Sequence, residues 1–255
     1  MRIDDLDTFR NVSGATESII NALEVHGLHW DGSIFYQSDH LAIYQTVISN
    51  LIEEELVFPC VCTRKALASD GFAVYPGTCR KIKNNGDKPH SLRIKSKDIE
   101  ISFADQLQDY QCHQMAQQHG DFIVRRKDNI VAYQLAVVVD EYLQNISHVI
   151  RGFDLLDSTP KQIFLQQTLG YSTPAYCHVP VINGADGHKL SKQTFAQAIS
   201  SEKPEKTIFN LLGLLKQNPP AQLKKASVKE LINWGIEHWQ VDKLKKTRAI
   251  NEGFN

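Results

Sequence analysis

The stretches His148–Gly152 (HVIRG) and Thr159–Leu169 (TPKQIFLQQTL) decide the fold of this chain. The first contains two β-branched residues and ends at a glycine, which is typical of a strand. The second carries Pro160 in its first turn and is followed by Gly170, and these two signals mark the beginning and the end of a helix. Strand and helix in alternation predict an α/β fold with a parallel sheet.

Segments on either side of this pair extend the pattern. Apolar residues alternate with polar ones over 91–105, which predicts strands. Residues 132–142 are apolar on nearly every side, so periodicity leaves them open as a buried helix or a buried strand. Farther on, the spacing predicts helices over 208–215 and 228–239. We therefore expect an α/β domain over 1–200 and a helical carboxyl-terminal region over 201–255.

The composition indicates a globular protein with an ordinary core. Of its 255 residues 42% are hydrophobic, and the formal net charge is −1. No apolar run approaches the ~20 residues that a membrane-spanning helix needs, and the acidic amino terminus does not resemble a signal peptide. We therefore expect a cytoplasmic protein that does not bind a membrane. The sequence does not show the oligomeric state, and a monomer is taken as the default. Any nucleic acid would have to contact a local basic patch, such as residues 125–127 or the lysine-rich carboxyl-terminal segment.

A cluster of cysteines lies in an irregular segment, about 59–90, which we interpret as a small inserted module. Within twenty residues it contains Cys60, Cys62, Tyr75 and Cys79. Thiolates are the ligands that Zn²⁺ prefers in structural sites, and the metal would stabilise a segment with little core of its own. Tyrosine is an uncommon ligand, and His90 is an alternative to it. From spacing alone, the cysteines fit a zinc site or three small buried apolar residues.

A second polar cluster is the loop at 187–193 (GHKLSKQ), where two lysines and a serine follow a glycine turn. Lys189 and Lys192 repel each other unless a dense anion neutralises both charges. Ser191 adds a hydrogen-bond donor for phosphate oxygens. The loop therefore fits a polyphosphate-binding loop or, alternatively, a solvated basic loop.

Short motifs along nearly the whole chain resemble those of the glutamyl-Q tRNA(Asp) synthetases, which are short paralogues of the glutamyl-tRNA synthetases. Besides the cysteine cluster, the matching motifs are residues 2–7 (RIDDLD), 27–31 (GLHWD), 121–126 (DFIVRR), 132–140 (AYQLAVVVD), 150–155 (IRGFDL), 159–163 (TPKQI), 178–180 (HVP) and 189–192 (KLSK). Each motif is weak alone, but their order and spacing are specific.

This resemblance implies a Rossmann-like catalytic domain of the class I synthetase type. Such a domain uses ATP, with Mg²⁺, to activate L-glutamate as glutamyl-adenylate. In this family the glutamyl group then passes to queuosine in the anticodon loop of tRNA(Asp), so that anticodon stem-loop is the implied RNA partner. Conventional glutamyl-tRNA synthetases carry large anticodon-binding domains after the KMSKS-type loop. Only 63 residues follow Lys192 here, which favours the short family.

The resemblance also assigns the glutamate site. Tyr133 and Arg151 match residues that hold the amino acid, and Asp4 matches an acidic residue, usually Glu, that contacts its ammonium group. These roles are physically reasonable, because an arginine at a strand end can bind a carboxylate through two parallel hydrogen bonds. Tyr133 could orient the ammonium group or the backbone of the substrate.

The resemblance further assigns the ATP site and the metal site. The KMSKS-type loop that binds ATP is matched by Lys189, Ser191 and Lys192. In that loop Lys192 would act in catalysis by stabilising charge on the transferring phosphates. The family's ligands for one structural Zn²⁺ are matched by Cys60, Cys62, Tyr75 and Cys79.

One departure from the family pattern lies at the front of the chain. The family has a first strand, a Pro-Ser-Pro-x-Gly turn and a HIGH-type segment before the position of Arg2, where this sequence has Met1. We therefore expect an N-terminally truncated chain that does not form glutamyl-adenylate in this form. The alternatives are a fragment of a conventional glutamyl-tRNA synthetase and a non-catalytic relative whose KLSK loop and basic residues 125–127 contact RNA phosphates.

Overall fold

A computed structural model describes the chain over residues 1–69, 73–82, 88–184, 187–190 and 199–251. The helices are α1 Ala15–Val25, α2 Leu41–Glu53, α3 Arg64–Ser69, α4 Tyr133–Leu143, α5 Thr159–Leu169, α6 Pro204–Leu214 and α7 Val228–His238. The strands are β1 Arg2–Ile3, β2 Phe35–Tyr36, β3 Val57–Cys60, β4 Ser91–Ile94, β5 Glu100–Asp105, β6 Asp109–Gln114, β7 Ile123–Arg125, β8 His148–Gly152, β9 Ala175–Val179, β10 Val181–Asn183 and β11 Ala249–Asn251. None of the helices in these ranges is long and apolar enough to cross a membrane.

The central sheet has four strands in the order β6-β5-β9-β8. Strand β9 lies parallel to both β5 and β8, whereas β5 and β6 form an antiparallel hairpin. The α/β prediction is therefore confirmed, with a mixed sheet. The chain reverses after β5 through a short turn that ends at Asp109, whose φ is 61°.

The two segments 148–152 and 159–169 adopt the structure predicted from the sequence. Strand β8 and helix α5 have the predicted bounds, and Pro160 lies in the first turn of α5. Gly170 ends this helix in the left-handed conformation with φ 70°, which glycine adopts without strain. A 3₁₀ turn at Phe153–Ser158 joins β8 to α5. This short connection places the carboxyl end of the strand beside the beginning of the helix.

Helix α4 resolves the ambiguity of residues 132–142. It packs against α2 and α5, and it is buried on almost all sides. Its buried members are Leu135, Ala136, Val137, Val138, Val139, Asp140 and Glu141. Fully burying a side chain of the Val or Leu size contributes about 1.5–3 kcal/mol, so this helix is a main element of the core. Its only strongly exposed residues lie near its two ends, and Tyr133 at the amino end is one of them.

Smaller sheets surround this core. Strands β3, β4 and β7 form an antiparallel sheet that supports the segment predicted as an insert, and α3 shows that this segment is not wholly irregular. In the carboxyl-terminal region, α6 and α7 confirm the two predicted helices. Strand β11 pairs in parallel with β10, so the end of the described chain returns to the α/β domain.

Candidate active site and metal site

Arg151 lies on β8, one residue before the strand ends, and two neighbours fix its guanidinium group. Its Nε donates a hydrogen bond to Nε2 of His178 at 3.0 Å, and its Nη2 donates to the hydroxyl of Thr159 at 2.7 Å. The guanidinium carbon also lies 5.4 Å from the centre of the Tyr176 ring. Within the described ranges, Nη1 has no hydrogen-bond partner and no carboxylate lies within 4.0 Å of the group. Arg151 therefore retains a donor and its charge for a substrate anion.

Tyr133 begins α4 and leaves 42% of its surface exposed, so a ligand can reach it. Burial of its ring raises the pKa of Tyr133, and the charges of Arg151, Arg2, Asp4 and Glu141 also act on the phenol. These electrostatic interactions link Tyr133 to Arg151 and Asp4, the two other residues that the resemblance assigns to glutamate. At neutral pH the phenol stays protonated and can donate a hydrogen bond.

Asp4 follows β1 and is held by its neighbour Arg2. The Nε of Arg2 donates to Oδ1 of Asp4 at 2.6 Å, and its Nη2 donates to Oδ2 at 3.3 Å. Arg2 also lies 3.5 Å from the carboxylate of Asp140, which is completely buried. Asp140 in turn accepts hydrogen bonds from Gln37 at 2.7 Å and from Tyr44 at 2.5 Å. The exposed carboxylate of Asp4 is thus connected to the core through a fixed arginine.

Glu141 is a further charged group of this neighbourhood that sequence reasoning misses. It is buried on α4, and its Oε2 has no hydrogen-bond partner within the described chain. Burial raises the pKa of Glu141, while the charges of Arg151 and Arg2 oppose this rise. In the sequence Glu141 lies at the end of an apolar run. An acidic residue at that place is the signal that could have identified it.

The predicted ATP-binding loop lies only partly within the described residues. Gly187 has φ 76°, and Lys189 pairs with Asn183 of β10 in an antiparallel bridge. The ammonium group of Lys189 forms an ion pair with the carboxylate of Asp154, three residues after Arg151. Lys189 therefore lies next to the turn that follows Arg151. Ser191 and Lys192 lie outside the described residues.

The predicted metal ligands form a compact cluster. The three cysteine Sγ atoms all lie within 4.8 Å of one another. The phenol oxygen of Tyr75 lies 3.4 Å from Sγ of Cys60 and 3.9 Å from Sγ of Cys62, and it accepts a hydrogen bond from the backbone N–H of Cys79 at 2.8 Å. His90 is half-buried and its ring contacts the carbonyl of Lys88, and the group of clustered metal-ligating side chains within the described residues does not include it.

The surroundings of the cluster fit a cationic metal bound by thiolates. Arg93 is buried, its Nε donates to Sγ of Cys60 at 3.3 Å, and its guanidinium carbon lies 4.0 Å above the Tyr75 ring. Within the described ranges no carboxylate lies within 4.0 Å of it, and an unpaired buried cation is costly. Thiolates around Zn²⁺ would supply the missing negative charge. Burial raises the pKa of Cys62 to about 11, so a bound metal would have to displace the thiol proton.

Comparison with known proteins identifies the family to which the chain belongs. Over residues 1–234 the sequence matches the family of class I tRNA synthetases (E and Q), catalytic domain. The crystal structure of the glutamate-tRNA synthetase from Elizabethkingia anophelis has the same fold, with a TM-score of 0.77 at 22% identity over 99% of this chain and 60% of that one. A glutamate tRNA ligase from Elizabethkingia meningosepticum, solved in complex with its amino acid, gives 0.74 at 22% identity over 98% of this chain and 59% of that one. This chain therefore spans about three fifths of each structure, and it has the fold of a class I synthetase catalytic domain.

Similar sequences identify one family within the class I synthetases. The glutamyl-Q tRNA(Asp) synthetase of Aromatoleum aromaticum is 44% identical over 246 residues, which cover 94% of this chain and 78% of the relative. The protein of the same name from Pseudomonas paraeruginosa is 38% identical over 252 residues, 99% of this chain and 85% of the relative. The chain therefore belongs to the glutamyl-Q tRNA(Asp) synthetases, a family of ligases.

Proposed function

We propose that this protein activates L-glutamate with ATP and transfers the glutamyl group to queuosine in the anticodon loop of tRNA(Asp). The observation that carries the proposal is the fixed guanidinium of Arg151: its Nη1 has no hydrogen-bond partner among the described residues, and its charge acts on Tyr133. An RNA-binding protein without ligase activity would have no use for such a site. The family membership of the chain supports the choice of amino acid and of acceptor.

In the first step, the α-carboxylate of glutamate attacks the α-phosphorus of ATP, and the bond to pyrophosphate breaks. No nucleophilic side chain is needed for this reaction, so the protein acts by orientation and electrostatic stabilisation. Because the α-carboxylate is consumed, Arg151 binds the side-chain carboxylate of the substrate. Asp4 attracts the ammonium group, and Tyr133 donates a hydrogen bond that fixes the amino acid between them.

The loop at 187–193 binds the polyphosphate of ATP. Lys189 exchanges its ion pair with Asp154 for the phosphates, and Ser191 and Lys192 are assigned to the same function by the resemblance alone. Mg²⁺ would neutralise part of the triphosphate charge when it accompanies ATP. In the second step, queuosine attacks the glutamyl carbonyl and AMP leaves.

The remaining parts of the chain have supporting roles in this proposal. One Zn²⁺, held by Cys60, Cys62, Tyr75 and Cys79, stabilises the insert at about 59–90 within a catalytic domain of residues 1–200. The helical region over 201–255 carries several lysines that could contact the stem of the tRNA. We expect the protein to act as a cytoplasmic monomer.

Pyrophosphate exchange tests the first step. The assay uses a form of the protein that includes the HIGH-type segment, which serves as the wild type in all activity measurements. It should incorporate labelled pyrophosphate into ATP when L-glutamate is present, and L-glutamine should not replace it. Arg151→Gln should lower kcat/KM for glutamate by at least 100-fold, because the substrate carboxylate loses its charged partner. The matched control is Arg10→Gln, since the side chain of Arg10 is 76% exposed. Equal exchange with Arg151→Gln and the wild type would refute the assigned site.

The acceptor requires a second assay. Labelled glutamate should be transferred to tRNA(Asp) that contains queuosine, and not to the same tRNA with guanosine at that position. Transfer to the terminal adenosine of tRNA(Glu) would instead show a conventional glutamyl-tRNA synthetase. RNA binding without any glutamate-dependent exchange would support the non-catalytic alternative.

A further inference from the structure

The central sheet carries a row of polar side chains that ends at Arg151. Asp105, His178 and Arg151 lie on the adjacent strands β5, β9 and β8, and Arg151 is directly opposite His178 in the register. Asp105 and His178 are buried, with relative exposures of 4% and 0%. Buried ionisable groups in the middle of a sheet are costly unless their hydrogen bonds are complete. Their contacts therefore indicate what the row does.

Both carboxylate oxygens of Asp105 accept hydrogen bonds. Its Oδ1 accepts the backbone N–H groups of Leu107 at 3.0 Å, Gln108 at 2.9 Å and His178 at 3.2 Å. Its Oδ2 lies 2.6 Å from Nδ1 of His178. Although burial opposes ionisation, the hydrogen bonds from His178 and the backbone hold the pKa of Asp105 below its ordinary value. A carboxylate can only accept, so Nδ1 of His178 must carry a proton.

This contact determines the other ring nitrogen. With the proton on Nδ1, the neutral imidazole offers a lone pair at Nε2, and the Nε–H of Arg151 donates to it at 3.0 Å. Arginine has no acceptor, so an Nε2–H tautomer would place two donors face to face. The hydroxyl of Thr159 lies 3.1 Å from the same Nε2 and accepts from Nη2 of Arg151. Two of the three guanidinium nitrogens are thus fixed from within the protein.

We propose that Asp105 and His178 are positioning residues for glutamate recognition: the buried carboxylate sets the tautomer of His178, and His178 in turn orients the guanidinium of Arg151. This inference rests on the proposed function, in which Arg151 binds the side-chain carboxylate of glutamate. A free arginine side chain has to lose rotamer freedom when it binds a ligand. An arginine that is oriented in advance does not incur that cost during binding, which lowers KM for the ligand.

Asp105→Asn is the decisive substitution because it keeps the size of the side chain and reverses the direction of its hydrogen bond with Nδ1 of His178. Its amide oxygen can still accept from the backbone, but its NH₂ group would donate to Nδ1 of His178 and move the proton to Nε2. We expect KM for glutamate to rise at least ten-fold, while KM for ATP changes less than two-fold. Thr159→Val, which removes the second acceptor of Arg151, should raise KM for glutamate by two- to five-fold.

The matched control is Asp121→Asn. Asp121 is also 4% exposed and accepts a backbone N–H, from Ser96 at 2.8 Å, but it contacts no histidine. The Asp121→Asn variant should have a KM for glutamate within two-fold of the wild-type value. If Asp105→Asn and Asp121→Asn raise both Michaelis constants equally, the role of Asp105 is merely structural and the proposal is wrong.

Nitrogen-15 NMR of the imidazole supplies a readout that does not depend on activity. The wild type should show His178 with a protonated Nδ1 and a bare Nε2, and Asp105→Asn should show the opposite tautomer. A wild-type spectrum with Nε2–H would overturn the inference at its first step. Absence of glutamate-dependent exchange in the wild type would refute the proposed function, and the spectrum would still report separately whether Asp105 sets the tautomer.

Discussion

The Nε of Arg93 donates a hydrogen bond to Sγ of Cys60 across 3.3 Å, and both residues are buried. Arg93 lies on β4, and it also donates from Nη1 to the carbonyl of Asp121 at 2.8 Å. The residue thus joins the thiol cluster to the small antiparallel sheet. A guanidinium in this position favours deprotonated sulfur, and it is therefore suited to a site whose metal requires thiolates.

Arg93→Gln should weaken zinc binding by about 10–100-fold, the range found when an outer partner of a metal ligand is removed. Arg93→Lys should lose less, because it keeps the positive charge, although it loses the planar group over the Tyr75 ring and the paired Nε and Nη1 donors. Affinity is measured by competition with a chromophoric chelator. Arg80→Gln is the control, since Arg80 donates to the carbonyl of Ser96 and contacts no thiol. Unchanged affinity in Arg93→Gln would contradict the role.

Removal of the metal should destabilise the protein. In the proposed site Zn²⁺ binds only the folded cluster, so the unfolding temperature should fall when a chelator is added and recover with added zinc. Cys79→Ser should abolish both the response to the chelator and the bound zinc measured by elemental analysis. Cys112→Ser should behave as the wild type, because Cys112 is an exposed thiol outside the cluster. A chelator-independent melting curve in the wild type would show that no metal stabilises the fold.

Some elements of the fold depend on signals within their own segment, and others depend on contacts with distant residues. Only the first kind could be predicted from the sequence. Strand β8 and helix α5 were predictable because Pro160 and Gly170 are local signals that act on their own segment. The type of α4 was not predictable, because burial on every side removes the periodicity that distinguishes a helix from a strand.

The same contrast applies to the sites. Spacing along the chain identified the cysteine cluster, but its partner Arg93 comes from a strand 33 residues after Cys60. Asp105 and His178 are 73 residues apart, and only the pairing of β5 with β9 brings them together. A contact of this kind leaves no pattern in a single sequence beyond a polar residue in an otherwise apolar strand.

The ion pair between Lys189 and Asp154 should compete with ATP. Both side chains are partly exposed, and pairs of this kind contribute about 0–1 kcal/mol. Asp154→Asn should therefore lower KM for ATP by about two- to five-fold in pyrophosphate exchange and leave KM for glutamate unchanged. The exposed pair of Asp242 with Lys245 provides the control, and Asp242→Asn should have no effect. If Asp154→Asn instead raises KM for ATP, the carboxylate orients Lys189 for the phosphates.

His119 should make the stability of the protein depend on pH. Its side chain is 2% exposed, and its Nε2 lies 3.2 Å from Nδ1 of His113. Burial lowers the pKa of His119 to about 4, and the charge of Lys161 acts in the same direction against the attraction of Asp157. The folded protein therefore binds fewer protons than the unfolded chain between the ordinary pKa of 6.5 and about 4.

As a result, the free energy of unfolding has its full value above pH 6.5 and decreases as the pH falls toward 4. The decrease that His119 causes is at most about 3 kcal/mol. Urea unfolding at a series of pH values measures the effect. In His119→Gln the free energy of unfolding should decrease less steeply over this interval than in the wild type, whatever its value at pH 7. His148→Gln is the control, because the side chain of His148 is exposed. If the His119→Gln and wild-type curves run parallel, another buried group must cause the loss of stability in acid.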